Sequence, residues 1–424
     1  MRTPPTASEL TADARWSIVG LVAVALFINY VDRGAVPTAA HLMQDELGLS
    51  AKQLGVLFSA FFWTYSILQV PVGWVVERYG AHRVLAAGLA LWACATILVG
   101  FAHSFTALLL LRLLLGIGEC VGFPSAAKLL AVAVPVESLA IANGIVAAGY
   151  QRGPAVGAWG GGLIMVHYGW RAAFWVFGGL SLLWLLPWSR VRLPREAAAT
   201  RGRDDPPLRA ILRQPSLWGT ALGLFSSNYV FFFVLSWLPY YVVRERGFST
   251  GQMASLTGSA YLVSALSSIV AGWAIDRFVR SGRANIAYKS VMVAAHVGTV
   301  GCMLCIGFGA QPLALAGIFA YQILTGAAAS GVYAIPQILA GPSASGRWVG
   351  IQNCCGTFAG VIAPALTGVL VEETGHFAPA FVTAALVSIA GLIGWVWMVP
   401  RLAPLAWPSP GTAVAAEPAR ITLG

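Results

Sequence analysis

The sequence predicts an all-α integral membrane fold of twelve transmembrane helices arranged as two six-helix bundles. Three observations predict it. The chain of 424 residues is 58% hydrophobic and only 10% charged, where a soluble globular chain carries about 25% charged residues. Twelve apolar stretches follow one another along the chain, each close to the roughly 20 residues that a helix needs to cross a bilayer. A motif at the end of the second stretch returns 199 residues later at the end of the eighth, Gly73 matching Gly272.

The first span, 17–40, follows a polar stretch from Met1 to Arg15 that holds Pro4 and Pro5. That stretch lacks the basic start, short apolar core and small-residue cleavage site of a signal peptide, so the span is expected to be retained. Spans two to six fall at 52–76, 83–102, 105–131, 138–163 and 171–189. An Arg-rich stretch, 190–215, then interrupts the apolar pattern. Spans seven to twelve follow at 216–243, 251–274, 287–308, 312–340, 347–371 and 378–399. The expected organisation is a first bundle over 1–189, a connecting loop over 190–215, a second bundle over 216–400 and a tail over 401–424. The tail is rich in Pro and Ala and reads as disordered.

Lys and Arg set the orientation, because cytoplasmic loops carry the excess of positive charge. With both termini in the cytoplasm, the outer side holds Lys52, Arg171, Arg244 and Arg246, and the membrane holds Arg33, Arg112 and Arg152. The remainder of the 26 basic residues lie on the cytoplasmic side. The reverse orientation would place the Arg-rich loop outside. The net charge of +10 is therefore a topology signal. Nucleic-acid binding is not expected, since it needs a basic face on a folded soluble domain. All six cysteines fall within spans, and Cys302-x-x-Cys305 has no second pair or His cluster near it in sequence to complete a zinc site. No metal and no cofactor are expected, and no Gly-x-Ser-x-Gly elbow or phosphate loop points to an enzyme.

The repeat carries chemistry of its own. Its first copy reads Gly73-Trp-Val-Val-Glu77-Arg78-Tyr-Gly80-Ala-His-Arg83, and its second Gly272-Trp-Ala-Ile-Asp276-Arg277-Phe. A glycine lets helices approach closely. Acid–arginine pairs at the helix ends can latch neighbouring helices in one of two states; plain interfacial charges are the simpler alternative. The motif resembles the loop signature of the major facilitator superfamily. That resemblance implies a transporter of two like-oriented bundles that rock about a central site. It implies gating roles for Gly73, Glu77, Arg78, Arg83, Asp276 and Arg277, and a monomer in the inner membrane.

Charges within the spans locate the candidate site. Asp32 and Arg33 lie in the first span, Arg112 and Glu119 in the fourth, and Gln151 and Arg152 in the fifth. A charge near the bilayer centre costs roughly 3 kcal/mol on insertion scales, so five of them read as functional. Seven residues are nearly two helical turns, which puts Arg112 and Glu119 on one face about 10 Å apart. Desolvation favours a neutral carboxyl, a nearby guanidinium favours a carboxylate, and a guanidinium presents two donors to a substrate carboxylate. Two acids against three arginines leave the site at +1, and protonating both acids raises it to +3. Proton uptake should then favour anion entry. A buried salt-bridge network that only holds helices together is the plainer alternative.

Tyr30-x-Asp32-Arg33, with Arg112-x6-Glu119 followed by Phe123-Pro124, resembles the anion:cation symporter family, which includes sugar-acid:proton symporters. The resemblance implies that Asp32 and Glu119 carry protons and that Tyr30, Arg33, Tyr65 and Gln151 contact the substrate. Ser330 and Asn353 in the second half match more weakly as contacts. Arg112 either meets the substrate or orients Glu119. Arg152 departs from the family's pattern; a second anionic group on the substrate and a pairing with Asp32 or Glu119 fit its position equally. The second half has no deep charge and offers neutral residues such as Asn228, Tyr321 and Gln352, suited to sugar hydroxyls. The expected function is proton-coupled import of a small organic anion, a sugar acid or related carboxylate. The alternative is a proton-coupled exporter of anionic or drug-like compounds, suggested by Gly153-Pro154-x-x-Gly157.

Overall fold

The computed structural model describes residues 11–134, 136–191, 206–399, 401–405 and 407. These residues form twelve long helices and, among them, no strand. α1 is Ala12–Leu47, α2 Ala51–Tyr79 and α3 Ala81–Val99. α4 comes in two pieces, Phe105–Glu119 and Gly122–Ala133. α5 is Val136–Tyr168, and α6 is Trp170–Leu183 with the extra turn Leu185–Trp188. Past the short helix Leu208–Leu212 come α7, Pro215–Arg244, α8, Thr250–Arg280, and α9, Ala284–Phe308. α10 begins as Gln311–Val332, breaks at Tyr333 and bends at Gly341, where φ is +66°. α11 follows over Trp348–Thr374. α12 is Ala378–Ile393 and closes in a π-helical turn, Gly394–Met398. Ten of these helices are long and apolar enough to cross a membrane; α2 and α5, of 29 and 33 residues, occupy the other two places.

Local chemistry explains the ends. α1 is longer than the span expected at 17–40. The Thr11 side chain accepts from the Ala14 amide at its start, and Gly48 ends it in a left-handed conformation. The residues His41, Asp45 and Glu46, too polar to count as membrane span, are therefore helical. α2 and α8 start alike. Ser50 with Gln53, and Ser249 with Gln252, each form a reciprocal capping box, in which two otherwise orphan amides are satisfied. These pairs stand at the same 199-residue offset as Gly73 and Gly272, so the repeat covers the whole helix.

The two halves pack by one plan. In the first, α1 lies on α5, α2 and α3 on α4, and α3 on α6; in the second, α7 lies on α11, α8 and α9 on α10, and α9 on α12. The bundles meet where α2 crosses α11, α5 crosses α8, and α1 crosses α7. The α2–α11 crossing is backbone to backbone: a Cβ on Gly55 would stand 2.7 Å from the Pro364 carbonyl oxygen, and one on Gly368 2.7 Å from that of Ala51. Polar bonds join the same end. Tyr240 donates to Gln44 at 2.8 Å, His41 Nε2 lies 2.9 Å from Thr250 Oγ1, and Arg244 pairs with Asp45. The amide of Lys52 donates to Glu372 at 2.7 Å. All of these contacts lie at the end of the molecule where α1 and α7 finish.

The opposite end differs from expectation in two ways. Gly73 and Gly272 approach nothing, since a Cβ on either would meet no atom within 4 Å. The bundles touch at the other end, so close helix approach is not the use of these glycines in this conformation. Arg78, Arg83 and Arg277 are exposed there, and the side chains of Glu77 and Asp276 lie outside the described residues. The tail is ordered as far as it is described. The Leu402 amide donates to Asn285, the Leu405 amide to the Leu339 carbonyl, and Trp407 Nε1 to the Ala340 carbonyl at 2.8 Å. An indole finding an apolar floor against Trp348 outweighs the local disorder propensity of a Pro/Ala-rich sequence.

Candidate functional site

Four charged side chains are buried together: Asp32 is 2% exposed, Arg33 7%, Arg112 6% and Glu119 1%. Their helices are shaped to hold them. Gly149, Gly153 and Gly157 run along one face of α5, and a Cβ on the first two would stand 2.7 and 2.8 Å from the carbonyl oxygens of Ala23 and Phe27. This small-residue stripe draws α1 against α5 and fixes the turn bearing Tyr30, Asp32 and Arg33. In α4, Gly116 packs on Phe61 and Thr64 of α2, and Gly118 on Trp92 of α3. Glu119 is the last residue before the break in α4. Pro124 contributes to that break, because it has no amide to donate to the Cys120 carbonyl.

Arg33 Nε donates to Glu119 Oε2 at 2.9 Å. The guanidinium is otherwise surrounded by aromatic faces, with its carbon 4.7, 4.8 and 4.6 Å from the ring centres of Tyr30, Phe61 and Tyr65. Its Nη2 is buried without a protein partner. Asp32 does not join the pair. Successive helical residues point about 100° apart, so Asp32 turns toward Thr96 of α3, within electrostatic reach of Glu119. Both of its carboxylate oxygens are buried and, Thr96 apart, meet no hydrogen-bond donor among the described residues. Arg112 serves α2 rather than an acid: its Nε donates to the Leu57 carbonyl at 3.0 Å and its Nη2 to that of Phe58 at 3.4 Å. The face it shares with Glu119 brings the two into electrostatic range, without a bond between them.

Arg152 pairs with neither acid in this conformation. It is exposed, and its guanidinium donates to the Ala148 carbonyl of its own helix at 3.3 Å. It stands about 100° around α5 from Gly153, off the face that packs against α1. The buried cluster therefore holds two acids and two arginines, and its sum is zero with both acids ionised, not +1.

From the second bundle, Tyr333 at the break in α10 lies within electrostatic reach of Tyr30, Tyr65 and Tyr150. Its hydroxyl donates to Asn353 Oδ1 at 3.3 Å. Tyr333 was not singled out in the sequence. A signal exists in Pro336 three residues on, which leaves the Val332 carbonyl without its helical donor; Gln352 Nε2 donates to it instead at 3.2 Å. Asn228 likewise donates to the Gly356 carbonyl at 3.0 Å. The side chains of Gln151 and Ser330 lie outside the described residues. Tyr30, Arg33, Tyr65, Glu119 and Asp32 are thus gathered in one place, Asn353 faces them through Tyr333, and Arg112 braces them from behind.

Comparison with known proteins follows the same lines. The Major Facilitator Superfamily profile matches residues 22–295. The chain is 31% identical to a hexuronate transporter of Bacillus subtilis, with 84% of this chain and 88% of that protein covered. It is 30% identical to a probable sulfoacetate transporter of Cupriavidus necator, over 89% of this chain and 92% of the other. It is 27% identical to a D-galactonate transporter of Escherichia coli, over 91% and 95%. Among solved structures, an inward-facing, occupied bacterial homologue of the human lysosomal transporter Spinster superposes with a TM-score of 0.79 at 17% identity, covering 92% of this chain and 98% of that one. This last likeness speaks to the fold alone.

Proposed function

This chain belongs to the Major Facilitator Superfamily, a family of membrane transporters and not of enzymes, and from that premise we propose that it imports a small organic anion together with protons. The anion is a carboxylate, of the broad class that includes sugar acids. The observation that carries the reading is the buried Arg33–Glu119 bond beside an Asp32 that has no ion-pair partner among the described residues. The names of the hexuronate, galactonate and sulfoacetate transporters support an anionic substrate.

The charges give the coupling. With both acids ionised the buried cluster is neutral, and an anion entering it would leave an uncompensated negative charge in a low-dielectric site. A proton on Glu119 releases Arg33 Nε and raises the cluster to +1. A monoanionic carboxylate then takes the place of the Glu119 carboxylate on Arg33, with the bidentate geometry that guanidinium favours, and returns the sum to zero. Proton and anion thus each raise the affinity for the other. Asp32, which no described arginine pairs, is the second proton carrier on this reading.

Residues 1–189 and 216–400 are the two rocking bodies of this mechanism, with 190–215 and both termini in the cytoplasm of a cell whose inner membrane holds a monomer. With this orientation the packed end of the bundles faces outward, and we read the conformation as inward-facing. The repeat residues Glu77, Arg78, Arg83, Asp276 and Arg277 would latch the other end when the bundles rock. Uptake of a radiolabelled carboxylate into proteoliposomes, with and without an inward proton gradient, tests the reading. Uptake accelerated by the gradient is expected; uptake indifferent to it would overturn proton coupling.

A further inference from the structure

The site has a second chemical character besides charge. Phe61 and Tyr65, which flank Arg33, are buried and stack on each other at 5.2 Å. On the other side Tyr30 is half-buried and continues into Tyr150 at 5.2 Å and Phe123 at 6.3 Å, both also half-buried. Tyr333, 39% exposed, adds a further ring from the second bundle. The Arg33 guanidinium is thus bordered by aromatic surface, part of it accessible, on both bundles. Such surface favours flat, carbon-rich partners in offset or edge contact.

The neutral polar groups complete the picture. A hydroxyl taken out of water needs a partner, or its desolvation goes uncompensated. An open-chain sugar acid carries several hydroxyls and needs a comparable set of unengaged donors and acceptors. In the second bundle several of these are engaged with the protein. Asn228 and Gln352 donate to backbone carbonyls. Ser267 donates to the Ile323 carbonyl, and Tyr333 takes the Asn353 carbonyl oxygen. Tyr261 is buried, and the Tyr321 hydroxyl, Gln322 Nε2 and Gln352 Oε1 are enclosed in the helix packing without a hydrogen bond among the described residues. The Asn353 amide, held beside the aromatic surface by Tyr333, is a donor that this bundle presents there.

We infer that the substrate of this site is an aromatic monocarboxylate, its carboxylate on Arg33 and its ring among Tyr30, Tyr150 and Tyr333, and not an acyclic polyhydroxy acid. The inference rests on the reading of Arg33 as the anion site. A polar group on the ring would meet the Asn353 amide.

Calorimetric binding to the purified protein in nanodiscs tests it, with benzoate, 4-hydroxybenzoate and gluconate as probes. Either aromatic acid should bind at least tenfold tighter than gluconate. Tyr333→Ala should weaken the aromatic acids several-fold, while Tyr333→Phe, which keeps the ring, should retain most of their affinity. Arg33→Ala, checked for a monodisperse folded state, should abolish binding of all three. Gluconate binding tighter than both aromatic acids, in an Arg33-dependent manner, would overturn the inference and leave the anion site standing. Equal loss in Tyr333→Ala and Tyr333→Phe would overturn the ring contact. Binding of the aromatic acids that persists without Arg33 would overturn the anion site and this inference with it.

Discussion

Arg33 is bonded to Glu119, 86 residues away in the chain, and not to the aspartate that precedes it. The helix geometry that turns Asp32 toward α3 leaves one acid paired and the other unpaired in the same low-dielectric interior. On the proposed reading the two have different work: one competes with the substrate for a guanidinium, the other waits for a proton.

The competition has a sign. As pH rises and Glu119 ionises, it holds Arg33 more strongly, so anion affinity should fall with rising pH. In Glu119→Gln the competitor is neutral at every pH. That variant should bind anion with a flattened pH dependence and exchange it across the membrane, yet lose uptake driven by a proton gradient. Equilibrium binding between pH 5 and 8, alongside counterflow and gradient-driven uptake, separates these outcomes; loss of binding itself would give Glu119 a direct substrate role.

Removing the arginine is more severe. Arg33→Ala leaves the Glu119 carboxylate buried without its cation, a change worth about 3–5 kcal/mol unless the acid takes up a proton. Thermal stability should fall, anion binding should vanish, and the double variant Arg33→Ala with Glu119→Gln should recover stability but not binding. Unfolding monitored by intrinsic tryptophan fluorescence and calorimetric titration would report the two separately.

At the packed end, the Asp45–Arg244 pair is more than one-third exposed on both sides, so it contributes only about 0–1 kcal/mol. Asp45→Asn should shift the balance of open and closed states by no more than about fivefold. Gly55→Val should act far more strongly, because even a Cβ there meets the Pro364 carbonyl at 2.7 Å. Spin labels on the ends of α1 and α7 should show a small population shift for the first variant and a wholesale separation for the second.

The α1–α5 stripe gives a third test of how the site is held. Gly153→Ala drives a methyl into the Phe27 carbonyl, 2.8 Å away, and into the Tyr30 side chain. Overpacking of this kind typically costs 1–3 kcal/mol. Since Tyr30 lies on Arg33, substrate affinity should fall along with the melting temperature. Gly160→Ala, which meets nothing within 4 Å, should change neither.

The spans and the two-bundle plan could be read from the sequence because each rests on local signals: apolar runs, an Arg-rich interruption, and a repeat at constant offset. The composition of the site was also legible, since charge in an apolar run is rare. Its pairing was not. Asp32 and Arg33 are neighbours in sequence, but the helix points them at different partners, and only tertiary packing shows that Arg112 reaches the Leu57 carbonyl before any acid. That Arg152 stands apart from the two acids could not be read either, because depth along a helix says nothing about the face. The glycines at 149, 153 and 157 mark the packed face, and Arg152 is off it. Trp407 was hidden in a tail whose composition suggested disorder, although a lone tryptophan among prolines and alanines is itself a reason to look for a surface beneath it.

The crossing of α2 and α11 through Gly55 and Gly368 bears on how cheaply the halves can part. Wetting a pair of leucines or phenylalanines would cost about 1.5–3 kcal/mol for each side chain uncovered. Wetting two glycines uncovers almost no hydrocarbon, and water can solvate the carbonyls of Pro364 and Ala51 that they lie against. The glycine part of the seam therefore adds little to what opening costs, and the hydrophobic toll falls on its aromatic part, where Phe62 lies against Gly360 and Phe232.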